Sequence, residues 1–165
     1  MDNEERGKPV EELSNYTYRG ARALVLLHEQ HLRSFLAVWK RAKAASVVLP
    51  ETDDENYASL EALLQHVLGA AAWYMETICE VLELHDPKLK PPPEVETVEA
   101  EADAYVRHVL ERWRVPLASI EEEQCYEPAF TTREGGKLDL ECKLEHAVVH
   151  PMRHQFQLEE LLKQR

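Results

Sequence analysis

The chain has 165 residues, of which 19 are Lys or Arg and 31 are Asp or Glu, giving a net charge of −12. That balance argues against affinity for phosphate backbones or anionic lipid, and so against nucleic-acid or membrane-surface binding. Every apolar run is broken by charge well short of the roughly 20 residues needed to cross a bilayer, while the length suits one domain with a sizeable core. The first thirteen residues are polar and acidic, carry no export or organelle signal, and are read as a mobile tail. A cytoplasmic location is the expectation for the single domain assigned to 14–165. Cys79, Cys125 and Cys142 are odd in number and widely spaced, which fits reduced thiols and offers no C-x-x-C metal pair.

Only five glycines occur, and four long helix-compatible stretches stand between breakers, so the chain is predicted to be all-α. The first stretch covers about 14–47, with Leu24, Leu27, His31, Phe35, Val38 and Ala42 recurring at steps of three and four before Leu49-Pro50 ends it. It carries +5, against −8 for residues 48–85, a pattern that suits antiparallel neighbours. Thr52, Asp53 or Asp54 can cap the second stretch, which reaches about Leu84. Asp86-Pro87 and Pro91-Pro92-Pro93 form a stiff connector. Glu94 to Gln124 then reads as a third helix that Pro116 must kink or split. The fourth begins near Lys137, after Gly135-Gly136, and runs to the C-terminus. Four such stretches joined by connectors of about 8 to 12 residues describe an up-and-down four-helix bundle or a close variant of one.

Histidine carries the functional signal. His146, His150 and His154 sit at i, i+4 and i+8 on the last helix. Chance placement of eight histidines in this length gives about 0.02 such triplets, against about 0.4 single i, i+4 pairs. Residues four apart lie one above the other on a helix face, so two imidazoles can converge on one ion. All three cannot, because the first and third are about 12 Å apart by rise alone. A neighbouring helix must supply a further ligand, and His66 is the candidate. It shares a stripe with Ala62, Leu63, Gly69, Ala70 and Trp73 beside a broad apolar face. A lone histidine there reads as a hydrogen-bonded core residue; the triplet elsewhere favours a ligand.

Leu64-Gln65-His66-Val67-Leu68-Gly69-Ala70-Ala71-Ala72-Trp73-Tyr74, taken with Glu145-His146-Ala147-Val148-Val149-His150-Pro151-Met152-Arg153-His154-Gln155-Phe156-Gln157-Leu158, resembles the DinB/YfiT-like proteins, which are metal-binding four-helix bundles. The family pattern is one His on the second helix and an H-x-x-x-H on the last, followed by Gln-Leu. It matches here at His66, His150, His154 and Gln157-Leu158. The resemblance therefore implies His66, His150 and His154 as metal ligands and leaves His146 outside the set. Two departures stand out. Pro151 directly follows the first ligand of the pair and is expected to kink the helix, or else to begin a new one and break the i, i+4 spacing. Gln155-Phe156-Gln157 also replaces a more usual Arg-Gly-Gln.

Three neutral imidazoles leave an ion's +2 charge uncompensated and coordination positions open, the arrangement of a catalytic rather than a structural site. Zinc or nickel are the expected ions, with iron or manganese as further candidates. Such an ion lowers the pKa of a bound thiol. The resemblance implies a thiol transferase that joins a low-molecular-weight thiol of the bacillithiol, mycothiol or glutathione type to a small electrophile. Gln157 and His146 are candidates beside the ligands, Trp73 for a pocket wall, and His31 for a fourth ligand or substrate contact. The alternative is a non-catalytic metal- or small-molecule-binding stress-response bundle; a third is a bundle whose metal is structural, or which is metal-free and serves in partner interaction. Relatives often pair, so the resemblance allows a homodimer, but no heptad seam or exposed apolar stripe requires one and the oligomeric state is left open.

Overall fold

The computed structural model describes residue 13 and residues 15–164. The expected mobile tail lies outside the described residues except for Leu13, which is buried against the core and whose carbonyl accepts from Arg22 Nε at 2.7 Å. The protein is predominantly helical. Its long helices are α1 (Arg19–Ala44), α2 (Leu60–Val81), α3 (Val98–Trp113) and, after the single turn of α4 (Glu122–Cys125), α5 (Leu140–Lys163). Among the described residues, no helix is long and apolar enough to cross a membrane.

Local chemistry sets the boundaries more tightly than the hydrophobic period does. α1 stops ahead of Leu49-Pro50 because Ser46 turns left-handed at φ 52° and the Val47 N–H bonds back to the Ala42 carbonyl, which closes the last turn. Asp54 caps only a short 3-10 turn over Glu55–Tyr57. The cap of α2 is Ser59, whose Oγ accepts from the Ala62 N–H at 3.0 Å. The third stretch is split: α3 ends at Trp113, ahead of Pro116, and helix resumes only over Glu122–Cys125. Where the last helix was expected to open, the chain makes a hairpin of β1 (Phe130–Thr131) and β2 (Lys137–Leu138), turning through Gly135 at φ 84°. Only glycine adopts that angle without steric cost.

Long-range contacts fix the direction of each helix. Lys43, near the end of α1, pairs with Glu61 at the start of α2 and Glu99 at the start of α3. Farther back along α1, Lys40 meets Asp103 and Glu29 meets Arg114. The Trp113 indole N–H donates to the Ala71 carbonyl at 2.9 Å. So α2 and α3 run the same way, and both run against α1. α5 runs against α2: Lys143 lies over Trp73, His150 faces His66, and Gln157 meets Tyr57. The expected up-and-down order is thereby corrected: the second and third long helices are parallel.

The physical reason lies in the connector, residues 82–97. Extended chain covers about 3.1 Å per residue, so this segment spans roughly 50 Å, more than the roughly 33 Å of the helix it must retrace. It runs back beside α2 and α3, held by Gln65 Nε2 donating to the Pro93 carbonyl at 2.9 Å and Tyr105 Oη donating to the Lys90 carbonyl at 2.8 Å. The Lys90 N–H also donates to His108 Nε2 at 3.1 Å.

The helix that carries two of the clustered histidines is fastened at its start by Asp139, whose carboxylate accepts from the Cys142 N–H at 2.8 Å. Asp139→Ala is expected to lower unfolding free energy by about 1 kcal/mol in denaturant titration, and Asp139→Asn by only a few tenths.

Candidate metal centre

α2 is mostly apolar and buries one face, with Leu63, Leu64, Val67 and Leu68 wholly inside. His66 stands half-buried at the edge of that face, one turn from Gly69 and Ala70. α5 buries Leu144, Ala147, Pro151, His154 and Leu158, and His150 flanks this stripe. The helix passes through Pro151 without ending, so His150 and His154 keep their one-turn spacing and no new helix begins there. The missing proline N–H leaves the Ala147 carbonyl without its ordinary helical partner.

The three rings meet. The Nε2 atoms of His66 and His150 are 3.1 Å apart. Ring centroids are separated by 4.9 Å for His66 and His150, 4.9 Å for His150 and His154, and 5.4 Å for His66 and His154. One nitrogen from each ring lies within 4.8 Å of the others. Nitrogens held 2.0–2.1 Å from a tetrahedral ion sit about 3.3 Å apart. His66 and His150 already have that spacing, and the third ring reaches it with a movement of roughly 1–2 Å. The residues present therefore fit a divalent ion of the zinc or nickel class, which favours imidazole.

Surrounding groups orient the rings. His154 Nδ1 donates to Gln157 Oε1 at 2.9 Å, and the same oxygen accepts from Tyr57 Oη at 3.2 Å. That network assigns the proton of His154 to Nδ1 and leaves its Nε2 lone pair available to an ion. Burial pushes all three pKa values below the usual imidazole range. His150 falls to about 3, with His154 and His66 adding to the effect of burial. His66 falls with Asp54 opposing, and His154 falls with the Gln157 bond opposing. All three are unprotonated at neutral pH, as ligands must be. His150 Nδ1 is buried with no hydrogen-bond partner among the described residues.

The His66–His150 edge opens on a groove of about 570 Å³ whose walls include Gln65, Gly69, Ala70, Trp73, Tyr74 and Pro92. A Cβ on Gly69 would meet the Pro92 ring at 3.4 Å, an ordinary contact distance, so the returning connector packs closely beside this part of the wall.

Of the residues singled out from sequence, His66, His150 and His154 come together, Gln157 touches His154, and Trp73 walls the groove while remaining 52% exposed. Two expectations are corrected. His146, expected beside the ligands, is exposed and lies outside the imidazole group. His31 neither joins the group nor lines the groove; one turn earlier, His28 is the α1 histidine that goes fully inside, stacked on Trp113 at 3.7 Å between centroids. Tyr57, Tyr74 and Pro92 escaped the sequence reading. Tyr74 had a signal, two turns from His66; Tyr57 and Pro92 had none, because their approach depends on the turn before α2 and on the returning connector. The cysteines stay apart from the centre, and burial pushes the Cys79 and Cys125 thiols up to about 11.

Comparison of the chain with family models, with curated proteins and with solved structures gives no match to any of them.

His28 makes the site's surroundings sensitive to acid. Burial, with His150 and His31 adding to it, pushes its pKa from the usual 6.5 to about 3. The unfolded chain therefore takes up a proton that the folded chain refuses, and stability is lost as pH falls through that window. Between about pH 6.5 and about pH 5, the metal-free protein is expected to lose about 1–2 kcal/mol through His28 alone. His28→Phe, which retains a ring on Trp113, should lose that much less over the same interval. Denaturant titrations at both pH values check this, and equal losses in the two proteins would contradict it.

Proposed function

We propose that this chain is a metal-dependent thiol transferase on a DinB/YfiT-like four-helix bundle. His66, His150 and His154 hold a divalent ion, most simply zinc or nickel. The observation that carries the reading is the convergence of three neutral imidazoles from two helices, two of which, His66 and His150, line an open groove. Three histidine ligands without a carboxylate leave a position free for a ligand from solvent. When bound, the ion supplies the Lewis acidity that keeps a thiol deprotonated at neutral pH.

The chain's own residues supply the rest. Gln157 and Tyr57 hold His154 in the tautomer that presents Nε2. Gly69, Ala70 and Trp73 shape a groove in which a thiol and a small electrophile lie together. Trp73 and Tyr74 give one wall an aromatic surface on which the body of a thiol can pack. The thiol loses its S–H proton to solvent through the groove mouth. The sulfur's electron pair forms a bond to the electrophilic carbon, and the leaving group departs with the pair that bound it. No protein nucleophile is required, and none of the cysteines takes part.

The second reading, a metal- or small-molecule-binding protein without turnover, has the same site and is separated from the first by rate alone. Protein made without an affinity tag is expected to retain about one zinc or nickel per chain by elemental analysis. His150→Ala should weaken metal affinity at least about 100-fold while the helical circular dichroism persists. Metal-loaded wild type should conjugate a chromogenic aryl halide to bacillithiol, mycothiol or glutathione, and the variant should not. Metal retention without conjugation of any thiol would establish the second reading; equal metal content in wild type and His150→Ala would remove both.

A further inference from the structure

Against the aromatic wall of the groove stands a cation that has no carboxylate partner among the described residues. Lys143 lies two helical turns before His150 on α5, and Trp73 lies two turns after His66 on the antiparallel α2. The same face of the helix pair therefore runs about 10 Å from the imidazoles to these two residues. The Lys143 ammonium sits 4.3 Å from the centroid of Trp73 and 5.1 Å from that of Tyr74, the two aromatic residues that wall the groove, and 5.7 Å from that of Phe130. Aromatic faces stabilise an ammonium without neutralising it. Among the described residues no carboxylate lies within ion-pair distance of Lys143, in a chain with 31 acids to 19 Lys and Arg. Burial alone pushes its pKa below the usual lysine value, and no acidic group offsets that. A half-buried, desolvated and unpaired cation stores attraction for an anion.

We propose that Lys143, seated on Trp73 and Tyr74, is the binding site for a carboxylate of the substrate thiol, so that the protein selects thiols with an anionic group about two helical turns from the sulfur. The proposal rests on the thiol-transferase reading, because it takes the sulfur to lie at the three imidazoles. Substrate would then be held at two points, the sulfur at the inner end and the carboxylate at the outer end. The Trp73 ring, 52% exposed, would pack on the intervening chain. Thiols without an anion would lose the outer anchor only.

The test is calorimetric titration of untagged, zinc-loaded protein with glutathione and with its diethyl ester, which keeps the thiol and masks both carboxylates. Wild type is expected to bind glutathione about tenfold more tightly than the ester, the magnitude of one charge-assisted hydrogen bond. Lys143→Met should bind both with the affinity of the ester, and Lys143→Arg should restore the preference. Zinc content and melting temperature of each variant show that the inner site and the fold persist. Equal binding of the two thiols by wild type, or an unchanged preference in Lys143→Met, would overturn the anion site while leaving the thiol reading intact. Binding of neither thiol by zinc-loaded wild type would overturn the thiol reading and this proposal together.

Discussion

Three neutral imidazoles gathered at one place have little to offer one another. A neutral imidazole has one donor and one acceptor, and the 3.1 Å approach of the His66 and His150 Nε2 atoms is favourable only when one of them carries a proton. His150 Nδ1 is buried without a partner among the described residues. Leaving a buried polar atom unsatisfied costs about 1–3 kcal/mol, and the burial that depresses all three pKa values rules out protonation as relief at neutral pH. A divalent ion would relieve the approach of the His66 and His150 Nε2 atoms by accepting a lone pair from each ring, while His150 Nδ1 would keep its proton without a partner among the described residues. Much of the structure around the site makes sense as the means of bringing these lone pairs together.

That means is the antiparallel pairing of α2 with α5, which a simple alternation of the four long helices would have made parallel. It follows from the parallel pairing of α2 with α3. The returning connector makes it possible, and in returning it lays Pro92 across Gly69 and so builds one wall of the groove. Topology and site are thus linked through a segment that belongs to no helix. The acidic second helix and basic first helix still meet, through Lys43 and Glu61, but such exposed pairs contribute only tenths of a kcal/mol and align rather than hold the helices. The holding is done by buried side chains such as Phe35, Trp39, Leu64 and Met75.

What the sequence made legible follows from what is local. The helical character, the inward edge position of His66, and the one-turn spacing of His150 and His154 are consequences of period and spacing. The split near Pro116 follows from the chemistry of one residue. The hairpin before α5 was hidden because two residues per strand leave no alternation to detect, and Gly135-Gly136 signals a turn without saying what flanks it. Helix direction was hidden because it depends on whether the chain from 82 to 97 is compact or extended, a property of its packing against Gln65 and Tyr105. His28 and His31 illustrate the same limit: one turn apart on α1, their order of burial is decided by where Trp113 lies, which the period of α1 does not contain.

X-ray absorption at the metal edge of untagged protein loaded with zinc tests the shared centre most directly. Three imidazole nitrogens at about 2.0–2.1 Å, with the remaining position filled by a light atom and no sulfur before thiol is added, is the expected spectrum. Fewer than three imidazoles, or a spectrum that His66→Ala leaves unchanged, would contradict the account.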